Sequence, residues 1–154
     1  MLQRAKRVSL KTKEGVTAWL LAKDQLKANK KTTALKWSDG LALAAEDHCS
    51  DIGGKGTFVH QGSDGSQPWD RIKRYGKWTG SVGENMSFGN NKKHGGDFAL
   101  NLFIDDGVKS RGHRKYMLNS DFRYTGIAYC QHHSSMEGMV VIVYAKSFEV
   151  NEAG

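Results

Sequence analysis

Two runs near the C-terminal end, about Tyr124–Cys130 and Met139–Lys146, are dense in β-branched and aromatic residues and predict strands. Residues 131–138 are a short connection, so the two strands are expected to pair antiparallel. Most of what precedes them reads as helix. Helical segments feeding an antiparallel pair make an α+β domain, with helices packed on a small sheet.

The helices are marked by period and punctuation. Val16, Trp19, Leu20 and Leu26 recur at helical spacing and predict a first helix from Glu14 to about Asn29. Ser38 is a good N-cap for a second, whose stripe is Leu41, Ala44, Ala45, His48, Cys49 and Ile52, with Gly53-Gly54 as its stop. Residues 53–67 form a Gly- and Ser-rich loop that carries His60, and Asp64-Gly65 marks a tight turn in it. Pro68 suits the first position of a short helix holding Trp69, Ile72 and Tyr75, stopped at Gly76. Trp78 to Gly89 is expected to be extended and contains Gly83-Glu84-Asn85. A third substantial helix runs from about Gly96 to Asp106, and Ser110 is placed to cap a short one from Arg111 to Leu118. Trp19, Trp37, Trp69 and Trp78 are expected in the core, and His132-His133 on the surface. The chain divides into a basic arm (1–13), one domain (14–150) and a tail (151–154), without internal repeats.

A formal charge of +7 admits nucleic acid, an anionic membrane or an acidic protein as partner. The basic residues are dispersed, and no nucleic-acid motif accompanies them, so nucleic acid is set aside; the arm with Arg4, Lys6, Arg7, Lys11 and Lys13 is the place for an acidic protein partner. No run approaches the ~18 apolar residues of a membrane-spanning helix. No signal peptide is visible, since no apolar stretch follows the basic start, which leaves an intracellular protein or a mature or trimmed form. Cys49 and Cys130 make neither a disulfide scaffold nor a zinc site by number alone; whether they pair is open.

One stretch breaks a local preference. Phe98, Ala99, Leu102 and Phe103 carry helical spacing up to Ile104, and Gly107 suits the position after a helix end. Asp105 and Asp106 then fall in the last turn, where the macrodipole disfavours carboxylates. A sequence that gives up local stability usually has a reason elsewhere. Here the nearest reason is His113, just past the loop, as a proton-sharing or metal-sharing partner.

Several segments, taken in order, resemble the CAP family, the cysteine-rich secretory, antigen 5 and pathogenesis-related 1-like proteins, also called the SCP domain. They are Leu35-Lys36-Trp37 before the Leu41/Ala44/Ala45 helix, His60 in Val59-His60-Gln61-Gly62, and Gly83-Glu84-Asn85. After them come the Asp105-Asp106-Gly107 helix end, Ser110-Arg111-Gly112-His113-Arg114, and Gly126-Ile127-Ala128. The match covers about residues 14–148, and Gly112-His113-Arg114 resembles the shorter bacterial-type variant of the second histidine motif. The resemblance implies a three-layer α-β-α sandwich with a small antiparallel sheet. It also implies one cleft faced by two histidines and two acids: His60, Glu84, Asp106 and His113. Asp106 stands where many members have Glu, and Phe103 where many have Trp. Asp105 is set aside as the cleft acid, because one residue along a helix turns a side chain by about 100°. The resemblance points to an extracellular protein, against the intracellular reading above. The cysteine-rich pattern of the secreted eukaryotic members and the Gly-His-Tyr-Thr-Gln motif are absent.

Two neutral imidazoles suit Zn²⁺ or another divalent cation, so His60 and His113 are the expected metal ligands. The carboxylates would orient the rings. A small molecule, lipid or protein is the expected ligand of the cleft, within a binding or interaction module. An alternative is a metal-dependent hydrolase with Glu84 or Asp106 as base. No HExxH or Gly-x-Ser-x-Gly motif supplies a nucleophile, which argues against catalysis. A third reading is a structural component of a larger assembly docked through the basic arm.

Overall fold

The computed structural model describes residues 12–29, 33–90 and 94–151. Four strands, β1 (Lys36–Trp37), β2 (Gly76–Gly89), β3 (Tyr124–His132) and β4 (Glu137–Val150), form one sheet in the order β1-β3-β4-β2. β2 and β3 flank β4 antiparallel, and β1 joins β3 parallel. The helices are α1 (Thr17–Ala28), α2 (Asp39–Lys55), α3 (Pro68–Lys73), α4 (Gly95–Ile104) and α5 (Gly112–Met117).

β4 shows why the sheet needs helices on both sides. It is buried on both faces from Gly138 to Ala145. Its odd residues Met139, Val141 and Val143 pack with Leu41, Cys49 and Ile52 of α2 and Ile72 of α3. Its even residues Val140, Ile142 and Tyr144 pack with Phe98 and Leu102 of α4. Each aliphatic side chain so buried contributes ~1.5–3 kcal/mol. The result is the expected α-β-α sandwich.

α2 is the best-signed helix. Ser38 Oγ accepts from Leu41 N (3.4 Å), Asp39 opens the first turn and Lys55 closes the last. Gly53-Gly54 does not end it, contrary to the expectation. The stop is Gly56, in the left-handed region at φ 65°. Gly53 has another duty: a Cβ there would stand 2.5 Å from Gln131 O, so glycine lets α2 close on β3. Cys49 and Cys130 are joined across the same seam by a disulfide.

α1 is turned differently from its apolar pattern. Ala18 and Ala22 are buried, whereas Val16, Leu20 and Leu26 are exposed. Small residues bring the helix close, and the larger side chains flank the contact. Three tryptophans are likewise outside the core: Trp19, Trp37 and Trp69 are 38%, 58% and 46% exposed, and only Trp78 packs against it. His132 reverses the other way. It is buried, with Nε2 donating to Thr57 O (2.8 Å), while His133 is exposed. The arm up to Lys11, with Lys30, Lys31, Lys92 and Lys93, lies outside the described residues. No helix among the described residues is long and apolar enough to cross a membrane.

Candidate functional site

β2 is the outer strand of the sheet on one side, and Glu84 and Asn85 point to its opposite faces. Each reaches one of the two expected histidines.

On the α2 face, Glu84 is buried, and Oε1 accepts from His60 Nδ1 (2.8 Å). Oε2 accepts from Arg71 Nη2 (2.8 Å), and His48 Nε2 stands 3.7 Å from Oε1. His60 belongs to a loop held by side chains. His48 Nε2 donates to Val59 O (2.9 Å), Arg71 Nη2 to His60 O (3.1 Å), and Arg71 Nη1 to Ser66 O (3.0 Å). Asp51 accepts from Ser63 N (2.6 Å) at the far side of the same loop.

On the α4 face, Asn85 Nδ2 donates to His113 O (3.1 Å). The carboxylate beside His113 is Asp105, not Asp106. Asp105 Oδ1 accepts from His113 Nδ1 (2.7 Å), and Oδ2 from His113 N (3.1 Å). The 100° argument fails because Asp105 is not helical. α4 ends at Ile104, and Asp105 takes left-handed angles, φ 55° and ψ 42°. That turn aims it at α5, while Asp106 accepts from Lys13 N (2.7 Å) and Glu14 N (3.0 Å) ahead of α1. Ser110 does not cap α5 either; Arg111 is its N-cap, at φ 52°. Two arginines answer the dipole problem. Arg114 donates to Phe103 O and Ile104 O (both 2.5 Å), and Arg111 Nη1 donates to Asp105 O (2.5 Å), so cations cover the carbonyl end of α4.

Burial works against the Glu84 charge, yet the His60 hydrogen bond and the charge of Arg71 outweigh it and hold its pKa below the ordinary carboxylate value. Burial also drives the His48 pKa down, more than Glu84 raises it, so this ring is neutral in the fold. Nε2 of that neutral ring carries the proton given to Val59, and Nδ1 has no hydrogen-bond partner among the described residues.

The two pairs share a geometry. Each carboxylate takes Nδ1, which assigns the proton there and leaves the lone pair on Nε2. The His60 and His113 side chains are 48% and 33% exposed, whereas Glu84 and Asp105 are sealed behind them at 1% and 2%. A hollow of about 210 Å³ adjoins His60 and Glu84, walled by Trp69, Val82 and Tyr116. His60 thus meets Glu84, and His113 meets Asp105, with Asp106 outside both pairs. Among the described residues, no three His, Cys, Asp or Glu side chains converge as a metal cluster.

Periodicity did not single out His48, Arg71 or Asp105 for this site. His48 lies on the apolar stripe of α2 and looked like core, which it also is. Arg71 precedes Ile72 in a six-residue helix too short to show a face.

The model of the cysteine-rich secretory protein family, CAP, matches residues 12–144. Among solved structures, the chain is similar to an outer surface protein of Borrelia burgdorferi, with TM-score 0.61 and 19% identity over 88% of this chain and 95% of that one. It is also similar to an extracellular protein containing an SCP domain from Bacillus anthracis, with TM-score 0.56 and 21% identity over 80% of this chain and 37% of that one. A cysteine-rich secretory protein of Staphylococcus aureus gives TM-score 0.52 and 13% identity over 93% of this chain and 42% of that one. No curated protein matches by sequence.

Proposed function

The chain belongs to the cysteine-rich secretory protein (CAP) family, and from that footing we propose that it is a binding module acting outside the cell, with its recognition surface along the β2 edge. The observation that carries this reading is the pair of carboxylate-backed histidines, each held through Nδ1 and with a partly exposed ring. A carboxylate on Nδ1 orients an imidazole and raises its basicity as a ligand. Imidazole nitrogens suit a borderline divalent cation such as Zn²⁺, and His60 and His113 are the residues that would hold it, through Nε2. A bound cation would polarise an oxygen of whatever small molecule, lipid or protein group approached it.

The burial of both acids favours binding over hydrolysis. Glu84 is closed off behind His60 and charge-balanced by Arg71, so it is poorly placed to take a proton from water. The Cys49–Cys130 disulfide supports an extracellular setting, because such bonds persist in oxidising compartments. Titration calorimetry with Zn²⁺ tests the cleft. Wild type is expected to bind, and the double variant His60→Ala/His113→Ala to lose the heat of binding. Equal affinity in both would refute the site.

A further inference from the structure

The side of the sheet away from the histidines is unfinished. β1 is two residues long, and its pairing with β3 ends at Thr125. Ser38 N donates to Thr125 O on that side (2.9 Å). Main-chain groups of a strand return to the same side every second residue, so Ile127 and Tyr129 turn N–H and C=O to this edge, where no described strand pairs with them. Open edges are usually blunted with charges, proline or bulges. The chain has 23 Lys and Arg, 16 Asp and Glu and one Pro, yet residues 124–132 contain none of these. The pairing of β3 with β4 is also free of register shifts. Ile127 and Tyr129 are instead 42% and 53% exposed.

Hollows flank this edge on both faces of the sheet. Under α4 lies one of about 560 Å³, lined by Phe98, Ala99, Val140 and Ile142. Beside α2 lies one of about 430 Å³, where Asp39 and Glu46 bring two carboxylates around Leu43. An added strand would send alternate side chains into these two hollows. The first suits apolar groups. The second suits cations, and it is a local acidic surface on a chain of net charge +7.

We propose that the β3 edge binds an extended peptide of another protein as a further strand, with apolar residues facing α4 and basic residues facing α2. Main-chain hydrogen bonds to Ile127 and Tyr129 would supply the affinity, and the two hollows the sequence preference. The surface is separate from the histidine cleft, which lies on the opposite edge, so either can fail alone.

The probe is a fluorescein-labelled heptapeptide of alternating leucine and lysine, titrated into the full chain and read by anisotropy. Saturable binding is expected. Methylating the amide nitrogens of one alternate set of residues should abolish it, whereas methylating the other set should leave it intact, because only one set faces the edge. Glu46→Lys should weaken the leucine–lysine peptide by about tenfold or more and improve a leucine–glutamate peptide. Ile127→Lys, which places a charge at the edge, should abolish binding of both. Both positions are exposed, and circular dichroism verifies that the variants are folded. Four results would each overturn the proposal: no binding at millimolar peptide, equal binding of both N-methylated peptides, no response to Glu46→Lys, or self-association of the chain removed by Ile127→Lys. The last would assign the edge to a second copy.

Discussion

Arg71 Nη2 and Glu84 Oε2 meet at 2.8 Å, with side chains only 2% and 1% exposed. Arg71 also holds His60 O and Ser66 O, so the same guanidinium fastens the histidine loop to β2. Removing one partner of a buried pair costs ~3–5 kcal/mol, because the other is left charged in a dry site. Arg71→Met is therefore expected to lose stability of that order in urea unfolding and to raise hydrogen exchange over residues 57–67. A loss below about 1 kcal/mol would mean that the Glu84 charge does not depend on Arg71.

Two groups of this cluster set the pH response. His48 has a lowered pKa in the fold, so below about 6.5 the unfolded chain takes up a proton that the folded ring refuses. Stability should fall as pH drops through that point. Glu84 has a lowered pKa as well, so its contribution is present above about 4.5 and lost as pH falls through the folded value. Urea midpoints from pH 8 to 3 should show both declines. In His48→Gln, which keeps a donor for Val59, the decline between pH 7 and 5 should flatten; persistence would place it on another group.

Adjacent aspartates should separate cleanly. Asp105→Asn removes the carboxylate behind His113 and is expected to weaken Zn²⁺ binding 10–100-fold, as loss of such a partner does elsewhere. Asp106→Ala removes the acceptor of Lys13 N and Glu14 N, a cap-like loss of ~1 kcal/mol, seen as faster exchange at the start of α1 with metal affinity retained. The opposite assignment of the two phenotypes would contradict the pairing.

Neighbouring glycines in α2 give a further contrast. Gly53→Ala forces a Cβ against Gln131 O and Cys130 Sγ and is expected to cost ~1–3 kcal/mol. Gly54→Ala meets nothing within 4 Å and should gain up to about 1 kcal/mol from helix propensity. Thermal denaturation of the two variants reads the difference directly.

The Cys49–Cys130 bond links positions 81 residues apart. Constraining so long a loop in the unfolded chain typically contributes ~2–4 kcal/mol. The Cys49→Ala/Cys130→Ala variant should lose about that much while keeping the fold, as judged by its far-ultraviolet spectrum.

What was legible in the chain was whatever local chemistry determines. The β-branched runs of β3 and β4, the Ser38 cap and the Pro68 start express intrinsic preferences and stand where expected. Glu84 and His60 were accessible through a family resemblance. What failed had a non-local cause. The end of α2 moved past Gly53 because that glycine serves contact with β3, not termination. The exposed flank of α1 follows from docking through Ala18 and Ala22, which no hydrophobic count favours over leucine and tryptophan. Asp105 was lost to a helical extrapolation two residues too long, and the arginines that bond the carbonyls of this turn arrive later in the chain.

Two consecutive carboxylates thus serve different parts of the molecule, Asp105 gripping His113 and Asp106 receiving the amides of Lys13 and Glu14. A single peptide bond is the mechanical joint between them. Whatever tugs on the segment at Lys13 and Glu14 therefore tugs on one histidine of the cleft, so a tag or fusion placed just ahead of α1 is not a neutral handle.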